Sequence, residues 1–119
     1  MPGADAYYPV EMGKLAEQLK VTRRTFIVVT SRGSSVDAAG LPSLLQSEAA
    51  YIGVIGSKRR WLTTVKALKE QGIPEKLIKK VHSPIGLELN AETPEEIAVS
   101  IMAEILMLRD KGTGKMMKE

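Results

Sequence analysis

The chain of 119 residues has no cysteine, a single phenylalanine, a single tryptophan and no long hydrophobic run. Without cysteine there are no disulfides, no thiolate metal centre and no cysteine nucleophile. The apolar segments are too short to cross a bilayer and no signal-peptide pattern is present, so a cytoplasmic location without a membrane partner is expected. A dominant charge of one sign is also missing. The formal net charge is only +3, with acidic residues spread along the chain, and such a balance does not make a nucleic-acid coat. With few aromatics, a chain that is 44% hydrophobic must build its interior from Val, Ile and Leu, as α/β domains do. The length fits one domain with a modest core.

What the sequence does contain is concentrated in Tyr51-Ile52-Gly53-Val54-Ile55-Gly56-Ser57-Lys58-Arg59-Arg60. An apolar strand passes through Gly-Ser into three consecutive cations at the start of a helix. Ser57 is a good N-cap, because its hydroxyl accepts from the free N–H groups of the first turn. Three cations there are locally unfavourable, since a helix N-terminus already carries about half a positive charge. A bound phosphate or carboxylate would offset that repulsion. An ordinary strand-to-helix turn with solvated cations is the alternative.

Along the chain, residues 1–9 read as a disordered or expression-derived leader, residues 10–112 as the folded domain and residues 113–119 as a flexible tail. Val10, Met12, Leu15, Ala16 and Leu19 recur at helical spacing and predict a helix over 10–20. The β-branched run 25–30 predicts a buried, parallel strand. Ser31 to Ser35 form a loop, and Ser35 or Asp37 caps a helix over 38–45 in which Pro42 limits regularity. A second strand is expected at 50–55, then a helix over 58–71 with Leu62, Val65 and Leu68 on one face and Gly72 closing it. A short helix over 74–81 follows, started by Pro74. His82-Ser83-Pro84-Ile85-Gly86-Leu87 is a loop that enters a third, short extended piece. Thr93, Pro94 and Glu96 make a capping box for a last helix with Ile97, Ile101, Ile105 and Leu108 inward and Gly112 at its end.

Alternation of strands and helices predicts an α/β, Rossmann-like fold with a mostly parallel sheet. Ligands of such sheets bind beyond the carboxyl ends of the strands. The loops Ser31 to Ser35 and Gly56 to Arg60, with the chain after Leu87, would therefore share one rim. No complete Gly-x-Gly-x-x-Gly fingerprint is present. The candidate cofactor-binding residues are Arg32, Gly33, Gly56, Ser57, Lys58, Arg59 and Arg60, whose cations suit phosphate, together with Pro84 and Gly86, where a ligand or another backbone can come close. His82 is expected to meet the carbonyls of a preceding helix end rather than to donate a proton. Trp61 is expected to fill a gap between helix and sheet. Met116 and Met117, without His or Cys, make a poor ligand set, and neither a catalytic nor a metal site is assigned.

Four ordered motifs carry a family resemblance: Tyr51-Ile52-Gly53-Val54-Ile55-Gly56-Ser57-Lys58-Arg59, Gly72-Ile73-Pro74, His82-Ser83-Pro84-Ile85-Gly86-Leu87 and Thr93-Pro94-Glu95-Glu96-Ile97-Ala98-Val99-Ser100-Ile101. They resemble the carboxyl-terminal Rossmann-like domain of XdhC/CoxI-type accessory factors. The resemblance implies a binding module for maturation of the molybdenum cofactor (molybdopterin) and its insertion into a molybdenum hydroxylase of the xanthine dehydrogenase type. Family members also carry an earlier strand with a glycine-rich loop and a separate domain with a cysteine in many members, neither of which is found here. The expectation is thus a partial domain completed by homo-oligomerisation or by a separately encoded first half. Two alternatives stand beside it: an NAD(P)- or nucleotide-binding oxidoreductase fragment, and a ligand-free assembly subunit.

Overall fold

A computed structural model describes residues 14, 20–31 and 33–118 of the chain. The helix expected over 10–20, the leader 1–9 and Arg32 lie outside or almost wholly outside the described residues. Three parallel strands, β1 (Phe26–Val29), β2 (Tyr51–Val54) and β3 (Val81–His82), pair in the order β1-β2-β3. Phe26 stands opposite Tyr51 and Val29 opposite Val54, while Ile52 pairs with Val81. Helices α1 (Ser34–Leu45), α2 (Lys58–Glu70) and α3 (Glu75–Ile78) connect them, and α4 (Pro94–Arg109) follows. The fold is α/β and Rossmann-like, as the alternation predicts. None of the described helices is long and apolar enough to cross a membrane.

Among the described residues, the two faces of the sheet are clad unequally. Ile27, Val29, Ile52 and Val54 point to the face of the first three helices, where Leu41, Leu44, Leu45, Leu68 and Ile78 meet them. Each such leucine contributes about 1.5–3 kcal/mol by leaving water, so this cluster is the main core. Phe26, Tyr51 and Ile55 point to the other face, where, among the described residues, the apolar side chains packed on them are Ile101, Ile105 and Ile85.

Helix α1 begins four residues earlier than its sequence signals imply. Gly33 is its N-cap, without a side-chain cap, and Asp37 lies in the first turn. Pro42 sits inside the helix, where its missing N–H leaves the Ala38 carbonyl without its usual donor. The Gln71 side chain replaces that donor at 2.9 Å, so the defect also joins α1 to the end of α2. Ser57 caps α2 as expected, accepting from the Arg60 N–H at 3.1 Å. At the other end, Gly72 N–H donates to the Lys69 carbonyl and Ile73 N–H to the Leu68 carbonyl, a Schellman closure.

Three expectations are corrected. The inward face of α2 is Trp61, Thr64, Val65 and Leu68, and Leu62 is 59% exposed. The two stripes share Val65 and Leu68, and the rotation that buries the larger Trp61 prevails. The third strand is Val81–His82, running into the start of the expected loop rather than following it, because α3 stops at Ile78. On α4 the capping box of Thr93 and Glu96 forms as predicted, yet Ser100 and Glu104 are buried with Ile101 and Ile105 while Ile97 and Leu108 are half exposed. A sheet residue holds Glu104, and the loop after β3 holds the backbone at Ser100. Tyr51 donates to Glu104 at 2.8 Å, and the Ser100 carbonyl accepts from Leu87 N–H at 3.1 Å.

Candidate functional site

Because all three strands are parallel, the segments that follow them emerge at one edge of the sheet. They are Ser31 and Gly33 after β1, Ile55 to Ser57 after β2 and the segment from Ser83 to Ala91 after β3. Between the last two and α4 lies an open cleft of about 430 Å³, lined by Ile55 and Gly56, by Pro84, Leu87 and Glu88, and by Ser100. Ser83 ties its own loop to β2, donating from its hydroxyl to the Val54 carbonyl at 3.1 Å. The structure thus brings Gly56 and Pro84 together across one cavity.

Gly56 is required where it stands. Its φ of +142° excludes an ordinary side chain, and a Cβ there would lie 3.0 Å from Arg60 Cδ. Arg60 folds back over the glycine because its guanidinium is held elsewhere. Its Nη2 donates to the Asp37 carboxylate at 3.0 Å, to the Ser31 carbonyl at 3.0 Å and to the Ser31 hydroxyl at 2.9 Å. Ser31 in turn donates its hydroxyl to Asp37. Asp37 is fully buried, and a buried carboxylate needs such partners. Arg60, counted with the phosphate ligands on sequence grounds, is therefore an internal strut linking the first two strand-end segments. Among the described residues its Nε is the buried side-chain donor left without a protein acceptor, and it abuts Gly56.

Lys58 and Arg59 remain exposed at the first turn of α2, which contains no acidic residue. Ser57 is likewise exposed, its hydroxyl already used as the cap. Gly33 lies at the start of α1 with open space around it. Gly86 is not part of the cleft's lining. Its φ is +101° and a Cβ would meet Ser100 Oγ at 2.6 Å, so the backbone brought close by this glycine is that of α4.

The sequence reading missed the polar cluster under α4. The Tyr51 ring stacks on His82 with centroids 5.0 Å apart, and His82 Nδ1 lies 3.6 Å from the Glu104 carboxylate. His82 is a strand residue in this cluster, not a partner for helix-end carbonyls. Burial pushes the Tyr51 hydroxyl well above the usual tyrosine range, and its hydrogen bond to Glu104 and that carboxylate's charge push it further. Gly53 makes room for the arrangement, since a Cβ there would strike Ile85 Cδ1 at 2.3 Å and the Tyr51 hydroxyl at 2.5 Å. Only Gly53, in the middle of a buried strand, signals the close approach in the sequence.

The geometry defines an α/β protein with an open cleft at the carboxyl edge of a parallel sheet. Residues 1–105 match the XdhC Rossmann domain model, and the chain belongs to that family. It is 29% identical over 116 residues to the uncharacterized protein YqeB of Escherichia coli K12, covering 98% of this chain and 21% of that protein. It is 36% identical over 84 residues to a probable xanthine dehydrogenase subunit from Bacillus subtilis 168, covering 71% of this chain and 23% of that one. The crystal structure of a xanthine dehydrogenase from Bacillus halodurans superposes with a TM-score of 0.72 at 29% identity, over 92% of this chain and 31% of that one. The chain therefore spans about a fifth to a third of the length of these relatives.

Proposed function

We propose that the chain is a binding and delivery module in molybdenum-cofactor maturation, serving a molybdenum hydroxylase of the xanthine dehydrogenase type. The observation that carries this reading is the cleft at the strand ends, bordered by a helix start whose cations have no acidic partner in the first turn. Family membership and the names of two relatives support the link to xanthine dehydrogenase systems.

The residues fit an anionic group at this corner. The first-turn N–H groups of α2 point outward, Lys58 and Arg59 add charge, and Arg60 Nε lies unpaired beside bare backbone at Gly56. Ile55, Pro84 and Leu87 offer apolar walls to a flat heterocycle. The cofactor itself supplies the metal and pterin used in the partner's hydroxylation chemistry. This chain's residues bind the phosphate end, orient the ring system and leave the remainder open for transfer. No acid, base or nucleophile of the chain is needed for that task, so the role is that of an accessory factor.

The test is thermal stabilisation of the purified chain by inorganic phosphate, molybdenum cofactor, NAD(P), and cytidine and guanosine nucleotides, compared with Lys58→Ala/Arg59→Ala. A shift with molybdenum cofactor that the double substitution removes is expected. A shift with NAD(P) alone would replace this reading with that of a nucleotide-binding oxidoreductase fragment. No shift with any of them would leave a ligand-free assembly subunit.

A further inference from the structure

The cleft beyond β2 and β3 has a one-sided hydrogen-bonding character. Its volume of about 430 Å³ is that of a small-molecule site, and Glu88 is the charged residue in its lining. Ser100, 4% exposed, donates its hydroxyl proton to the Ile97 carbonyl at 2.7 Å and keeps only lone pairs to offer a ligand. Leu87 N–H is taken by the Ser100 carbonyl at 3.1 Å, and Pro84 has no N–H to give. Asn90 adopts a φ of +55°, the left-handed conformation that asparagine tolerates, and every residue from Leu87 to Ala91 lines the cleft. The Glu96 carboxylate nearby is engaged by the Glu92 and Thr93 N–H groups. Glu88, by contrast, has no ion-pair partner among the described residues.

We propose that Glu88 is a specificity-determining residue of this cleft and selects a planar heterocycle whose edge carries a ring N–H beside an exocyclic NH2. This rests on the cleft being the ligand site proposed above, and it adds which ring the site accepts. The two oxygens of a carboxylate accept from two adjacent N–H donors in parallel, the arrangement that makes charge-assisted pairs strong. The aminopyrimidinone edge common to pterins and guanine has those two donors. Hypoxanthine lacks the amino group, and adenine turns a ring nitrogen acceptor toward the carboxylate. An acceptor left facing an acceptor in a partly desolvated cleft weakens binding. The lining thus holds the bare Gly56 corner, next to Lys58 and Arg59 at the start of α2, and a carboxylate besides. A ligand with a phosphate and a donor-edged ring satisfies both.

The experiment is calorimetric titration of the purified chain with guanosine, inosine and adenosine monophosphates, and with guanosine and hydroxymethylpterin. Guanosine monophosphate is expected to bind about tenfold or more tighter than inosine monophosphate, with adenosine monophosphate weakest. Glu88→Gln, at an exposed position and so compatible with folding, should erase that ranking and favour adenosine monophosphate, because an amide matches one donor and one acceptor to the adenine edge. Lys58→Ala/Arg59→Ala should weaken all three nucleotides and keep their ranking. Guanosine and hydroxymethylpterin, both without phosphate, should each bind more weakly to Glu88→Gln, and the tighter of the two identifies the source of the ring. Equal affinity for the three nucleotides, lost in Lys58→Ala/Arg59→Ala, would overturn the role of Glu88 and leave the anion site standing. A guanosine preference that survives Glu88→Gln would place the selecting group elsewhere and overturn it too. Binding of none of these compounds would remove the cleft as a ligand site and, with it, both readings.

Discussion

Asp37 and Arg60, 23 residues apart, meet in a 3.0 Å ion pair that binds the first turn of α1 to the first turn of α2. The Asp37 side chain is wholly buried and the Arg60 side chain about one quarter exposed, so the pair lies between the deep interior and the rim of the site. Its consequence is spatial. By drawing Arg60 back across Gly56, it fixes the loop after β2 against the segment after β1 and leaves Lys58 and Arg59 as the cations facing outward.

Arg60→Ala is therefore expected to destabilise the fold by about 3 kcal/mol, toward the low end for breaking a buried pair because Arg60 is partly exposed. The loss comes mainly from leaving the buried Asp37 carboxyl without its cationic partner, with the Ser31 hydroxyl as its remaining donor. Urea denaturation of Arg60→Ala, Asp37→Asn and the double variant checks it. Asp37→Asn should cost less, and the double variant should cost less than the sum. Additive losses would mean that the two residues act independently.

That pair also shows where local reading stops. The caps at Ser57 and Thr93, the glycine after α2 and the two long strands were legible because each signal lies within a few residues of the structure it sets. The rim followed from a general property of parallel sheets, which placed the Gly56 loop there; Pro84 was expected ahead of the third strand and reaches the same edge because that strand is Val81–His82. Neither the Asp37–Arg60 contact nor the Tyr51–Glu104 bond has a local signature, since both depend on which helices become neighbours. Strand β3 has two residues, too few for any periodicity. The outward turn of Leu62 was hidden because its stripe shares Val65 and Leu68 with the one that is buried.

Gly53→Ala tests the close approach beneath α4. The added methyl would overlap Ile85 and the Tyr51 hydroxyl, and overpacking of this kind costs about 1–3 kcal/mol. Gly33→Ser is the contrast, at an open N-cap without a side-chain acceptor, and is expected to be slightly stabilising. Thermal unfolding of the two variants should move the midpoint in opposite directions.

Acid should loosen α4 at its start. Glu92 N–H, at 2.9 Å, and Thr93 N–H, at 3.2 Å, donate to the Glu96 carboxylate and hold its pKa below the usual range. A depressed carboxylate stabilises the fold above its unfolded value of about 4.3, and that contribution is lost as pH falls through the lower folded value. Circular dichroism between pH 5 and pH 2 should show a loss of helix that is smaller in Glu96→Gln, whose amide can still accept from the same N–H groups. Equal acid sensitivity in both proteins would remove Glu96 from the account.

Alkali should act through Tyr51, with the opposite sign. Burial, then the hydrogen bond to Glu104 and its charge, raise the hydroxyl pKa in the folded chain. A raised pKa gives stability that is complete below the unfolded value of about 10 and is lost as pH rises from there toward the folded value. The wild-type chain should thus unfold progressively more easily in urea above about pH 10. Tyr51→Phe removes the titrating group. At neutral pH it should cost about 1–3 kcal/mol, because the buried Glu104 loses its donor; above pH 10 its stability should decline less steeply than wild type, and the two curves should converge. Parallel decline of both proteins would place the alkaline sensitivity in other residues and would leave Tyr51 as a packing residue only.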